Sequence, residues 1–131
     1  MTGDGGSFTP APRRRAQSRT ANDQQNLRDE LVRLRRRCDL VAASERAEFT
    51  EGAVQYDVAS MIVIRLAALF DRSEAAALAA LLTDDERIAI RATRNIAAHA
   101  GYAGMNDDLF WTAVTTRIPT LIDRLLAGRT V

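Results

Sequence analysis

Lysine is missing altogether from the 131 residues, and cysteine and histidine occur once each, as Cys38 and His99. One cysteine excludes an intramolecular disulfide framework and fits a reducing compartment. One histidine and one cysteine, far apart in sequence, are too few ligands for a zinc site, so no metal site is expected. Carboxylate-only magnesium binding stays open. No run approaches the roughly 18–20 uncharged apolar residues that a membrane span needs. The N-terminus lacks an apolar stretch before a cleavage site, so no export signal is read and a cytoplasmic protein is expected. Aromatic residues make up 5% of the chain while alanine and leucine dominate, which favours helix over sheet. No segment alternates with period two, so no strand is predicted. No internal repeat is apparent.

What is present fits one domain, long enough to bury a core without staples. The net charge of +1 hides an asymmetry. Through Arg37 nine arginines face four acids, whereas from Cys38 onward nine arginines face thirteen. Guanidinium forks suit phosphate, so the front half permits nucleic-acid binding. A genome rich in G and C, which encodes arginine by default, gives the same bias. Residues 1–22 are rich in Gly, Pro, Ser and Thr, lack apolar periodicity and carry Arg13-Arg14-Arg15 and Arg19. They read as a disordered basic arm, able to grip RNA non-specifically or to serve only as a solvated tail.

Residues 23–131 read as one helical domain. Leu27, Leu31, Leu34, Cys38 and Val41 form a single helical stripe in a first helix running to about Arg46, with Asp29 placed to pair with Arg33. Phe49, Ala53, Tyr56, Ala59, Val63, Leu66 and Phe70 mark a second helix, from about Glu48 to Phe70. Ser73 is placed to cap a short helix, and Thr83-Asp84-Asp85-Glu86 has the form of a capping box. The helix it opens carries Ile88, Ile90, Ala92 and Ile96 and ends near Gly101 and Gly104. Asn106 is an N-cap for a last helix to about Leu126, which Pro119 should bend. The fold class expected is all-α, a bundle of four long helices plus a short one.

Chemistry concentrates between Arg94 and Tyr102, where Arg-Asn-Ile-Ala-Ala-His-Ala-Gly-Tyr holds the histidine. On a persisting helix, Asn95, His99 and Tyr102 share a stripe roughly 60° wide, and Arg94 lies about 140° from His99. Imidazole titrates near neutral pH and can move the proton of a ribose 2′-hydroxyl. Guanidinium can hold the phosphate and offset the charge developing on its oxygens, and the Asn95 amide can fix the imidazole or the sugar. Spacing alone also fits a structural His99 in an alanine-rich helix.

Arg94-Asn95 followed by His99 resembles the Arg-x4-His motif of HEPN domains, in which a polar residue commonly follows the arginine. Tyr102, Trp111 and Ile118-Pro119-x-Leu121 are similar in order and spacing to the tail of the HepT-like (DUF86) branch. Tyr56-Asp57-Val58-Ala59 through Ile64-Arg65-Leu66 resembles the same branch, so the likeness covers roughly Leu27 to Leu126. It implies a HEPN-like bundle and a metal-independent endoribonuclease, the toxin of a type VII-like toxin–antitoxin pair, needing no cofactor. Residue by residue it makes His99 the acid/base catalyst, Arg94 the phosphate clamp and Asn95 the supporting polar residue. It implies a homodimer whose two motifs face each other across one cleft, and products bearing a 2′,3′-cyclic phosphate and a 5′-hydroxyl. The antitoxin it implies is a minimal nucleotidyltransferase that silences the toxin by transferring AMP to the motif tyrosine, here Tyr102. The branch reads Arg-x4-His-x-Tyr, whereas here both Ala100 and Gly101 separate His99 from Tyr102, which on a helix turns the phenol by about 100°. Two other readings stand beside the ribonuclease. One is a non-catalytic, nucleotide-binding HEPN-like module that regulates a partner nucleotidyltransferase. The other is a helical dimerisation domain.

Overall fold

A computed structural model describes residues 10–99 and 106–128, with side chains from Ser18 onward. Helix α1, Pro10–Ala42, is the longest element, about 50 Å at 1.5 Å per residue. Its inward stripe is the one the periodicity marks: Leu27, Leu31, Leu34, Cys38 and Val41 are all fully buried. The helix reaches back to Pro10, so residues 10–22, read from composition as part of a disordered arm, continue the helix of residues 23–42. Ala, Arg and Gln are good helix formers whether or not a face is buried. The pairing expected between Asp29 and Arg33 is not made; Asp29 instead accepts from Gln25 Nε2 at 2.8 Å.

The chain leaves α1 four residues earlier than expected, where the Ser44 amide donates to the Val41 carbonyl at 3.0 Å. A 3-10 turn follows at Arg46–Glu48, then Gly52 at φ 95°. That positive φ suits glycine and is incompatible with a helix running through it. Helix α2, Val54–Phe70, therefore begins six residues later than Glu48. Phe49 is buried as expected, but from the turn rather than from a helical stripe. Its ring lies 5.1 Å from Tyr56, 5.4 Å from Phe110 and 5.2 Å from Trp111, centroid to centroid. Arg46 pairs with Asp108 beside it.

A 3-10 turn at Ser73–Ala75 leads into the short helix α3, Ala76–Ala79. Ser73 lies inside this turn and does not cap it; the N-cap is Arg72, whose guanidinium holds Glu30 at 2.7 Å. Helix α4, Asp84–Ala98, opens with the complete capping box. The Glu86 amide donates to Thr83 Oγ1 at 3.1 Å, and the Thr83 amide to Glu86 Oε1 at 2.9 Å. Asn106 caps α5, Asp107–Thr112, its Oδ1 accepting from the Leu109 amide at 3.1 Å.

A π turn at Ala113–Arg117 joins α5 to α6, Ile118–Leu126. Pro119 has no amide hydrogen and its ring crowds the carbonyl four residues back. The wider π turn just before it accommodates both, where the sequence pointed to a bend. Gly128, at φ 71°, follows the end of α6. Helices α1 and α2 pack together, α6 packs on α1, and α4 packs on α2. With α5, the π turn and α6 taken as one helix, this is an all-α bundle of four long helices and a short one, and no strand occurs among the described residues. No described helix is long and apolar enough to cross a membrane.

Candidate functional site

Helix α4 gives little of its surface to the core. Ala97 is its one buried residue, while Ile90 and Ile96 are half-buried and Ile88 is 66% exposed. Its N-terminus is held by the capping box and by Arg124 of α6, whose two terminal nitrogens reach Glu86 at 2.8 and 2.7 Å. The Glu86 carboxyl is held below the usual carboxylate range, first by these hydrogen bonds and against the cost of its own burial. The C-terminal half of α4 is thereby presented to solvent from a fixed base.

Arg94 and Asn95 are both exposed there, and the Arg94 guanidinium donates to Asn95 Oδ1 at 3.0 Å. The asparagine thus partners the arginine. His99 is the C-cap of α4, at φ −108° and ψ 54°, with its amide donating to the Ile96 carbonyl at 3.2 Å and its side chain exposed. The helix stops one residue before His99, so Asn95 lies on the helix and His99 on its cap instead of on one persisting helical stripe. Tyr102 lies outside the described residues.

Two further arginines accompany Arg94. A groove of about 250 Å³ between α4 and the end of α2 is lined by Arg87, Arg91, Arg94 and Asn95 on one side and by Phe70 and Asp71 on the other. Arg87 is engaged by Asp84 at 3.0 Å and by the Ala79 carbonyl at 2.7 Å. Arg91 and Arg94 have no carboxylate within ion-pair distance among the described residues, which suits them to an external anion. Arg91 is absent from the motif read in the sequence, although its signal was present: Arg87, Arg91 and Arg94 recur at i, i+4 and i+7, one face of a helix. On the far side of α4, a more apolar groove of about 720 Å³ opens towards α5 and α6 over Val63 and Leu66. No group of three or more metal-ligating side chains occurs among the described residues.

The chain matches no family model, no curated protein and no solved structure. Any family relation therefore rests on the motif residues and the helical frame that carries them.

Proposed function

We propose that the chain is a HEPN-like, metal-independent endoribonuclease of the HepT type, acting as the toxin of a toxin–antitoxin pair. The observation that supports it is the placement of Arg94, Asn95 and His99. All three are exposed on the last turns and cap of a helix whose one buried residue is Ala97. A histidine kept for packing would lie in the core; this one lies at the surface, on the same helix end as an arginine with no carboxylate partner among the described residues.

In this reading the imidazole takes the proton of the ribose 2′-hydroxyl as its oxygen bonds to phosphorus. The P–O5′ bond breaks, the leaving oxygen takes up a proton, and a 2′,3′-cyclic phosphate and a 5′-hydroxyl result. Arg94, oriented by Asn95, offsets charge on the non-bridging oxygens. Arg94 and His99 are five residues apart on a helix that ends between them, so each motif is half a site. A second copy facing the first across α4 completes the cleft, and the exposed Ile88 supplies apolar surface for that contact. A nucleotidyltransferase partner that adds AMP to Tyr102 is the control this reading assigns.

The test is cleavage of labelled RNA by purified protein in chelator, with end-group analysis of the products. Wild type should leave cyclic phosphate ends, while Arg94→Ala and His99→Ala should each lower the rate at least a hundredfold with circular dichroism unchanged. Wild-type protein that leaves RNA intact would overturn the nuclease and favour the regulatory module.

A further inference from the structure

Arginine is the sole cationic side chain other than histidine in this protein, and most arginines that face a neighbouring element are committed to it. Arg35 holds Asp123 and Asp39, Arg46 holds Asp108, Arg72 holds Glu30, Arg87 holds Asp84 and Arg124 holds Glu86. Helix α1 carries a run of arginines outside this pattern, as α4 does in Arg91 and Arg94. Arg19, Arg33, Arg36 and Arg37 have no carboxylate within ion-pair distance among the described residues; the first three are exposed and Arg37 is half-buried.

Their positions are coherent. At about 100° per residue the four fall within a stripe about 100° wide, centred roughly 130° round the helix from the buried Leu27–Val41 stripe. Arg19 to Arg37 spans about 27 Å along the axis, and the sequence places Arg13, Arg14 and Arg15 one to two turns further out on the same helix. Across Pro10–Ala42 the count is nine arginines against four acids. One carboxylate, Asp29, falls within the stripe, and it is engaged by Gln25. Asn22 and Asn26 are the other polar members, both exposed.

We infer that this arginine stripe on α1 is a docking track for the sugar–phosphate backbone of RNA, separate from the Arg94–His99 site. A protein partner would look for a dry apolar centre, and between Arg19 and Arg37 the helix exposes no large apolar side chain. A linear array of guanidinium forks suits a linear array of phosphates. Both α1 and α4 pack on α2. That RNA is the ligand rests on the nuclease reading; the existence of the track does not.

The test uses the full chain carrying His99→Ala, which holds RNA without cutting it, and a labelled RNA hairpin titrated across a salt series. Replacing Arg19, Arg33, Arg36 and Arg37 together by glutamine should weaken binding at least tenfold at low salt. It should also reduce the slope of log affinity against log salt by up to about 3.6, near 0.9 for each phosphate no longer neutralised. An unchanged slope overturns the track, and so does a polyglutamate peptide that displaces the hairpin at equal charge concentration. The nuclease is judged separately, on wild-type protein. Slope-sensitive binding without cleavage sinks the nuclease and keeps the track, whereas cleavage with an unaltered slope does the reverse.

Discussion

The Glu86 carboxylate accepts from the Thr83 amide at the head of α4 and from both terminal nitrogens of Arg124 on α6. Arg124 depends on it, because its Nε is buried without a hydrogen-bond partner. The two side chains are 23% and 16% exposed, so solvent screens the pair only in part. The folded-state pKa of Glu86 is depressed. The stabilisation it brings is therefore fully present above its unfolded value, about 4.3, and is lost as pH falls through the lower folded value. Glu86→Gln should cost about 1–2 kcal/mol at pH 7, with the gap to wild type narrowing below about pH 4. Urea midpoints at pH 7 and pH 3 measure this; an equal gap at both would assign the loss to packing. Cys38 gives a second residue-scale prediction. Burial pushes its thiol up to about 12, against the opposing pull of Arg35. Since the thiolate is the nucleophile, native protein at pH 8 should react with an aromatic disulfide reagent roughly a thousandfold more slowly than protein in urea. Equal rates would show that the thiol is reached without unfolding.

Helix α4 buries Ala97 alone, whereas α2 buries Tyr56, Ala59, Ile62, Val63, Leu66 and Leu69. Local opening follows buried apolar contact, so amides of residues 88–98 should exchange with deuterium faster than those of residues 60–69. Thr83→Ala removes the cap acceptor and should cost about 1 kcal/mol, speeding exchange in α4 about fivefold while leaving α2 unchanged. Uniform exchange across both helices would show that α4 opens only with the whole domain. The contrast between these helices also explains what could be read in advance. The α1 stripe from Leu27 to Val41 was legible because a helix seated on a core must repeat its apolar residues every 3.6 positions. Thr83 and Asn106 were legible because a cap needs only local residues. The spacing of Phe49 points to the core but to the wrong element, since burial by a turn leaves no periodic trace. The stop at Ala98 had no signal at that residue; Gly101 pointed two positions too far. The Arg94–Asn95 hydrogen bond has no sequence signal either, because neighbours one apart on a helix do not face each other. It forms through the reach of the arginine.

Over the whole molecule, charge is segregated along the chain: the front through Arg37 is strongly basic and the remainder is acidic. The fold draws residues 10–37 of that front into one helix. Among the described side chains of α1, Leu27 is the first fully buried one, and Ser18 to Asn26 are exposed apart from the half-buried Asp23. The bond from Gln24 Nε2 to the Glu74 carbonyl, at 3.0 Å, is where this part of α1 meets the turn before α3. Removing residues 1–17 takes away Arg13, Arg14 and Arg15 and leaves the buried Leu27–Val41 stripe in place. The truncated protein should keep its thermal midpoint to within about 3 °C, since a loss under roughly 0.5 kcal/mol moves a domain of this size no further. Its RNA affinity at low salt should fall, and its salt slope should drop by up to about 2.7. Differential scanning calorimetry and the hairpin titration measure the two quantities on one preparation. A midpoint lowered by about 10 °C would mean that the early turns of α1 are part of the folded core, and the helix would then be a structural strut instead of a track.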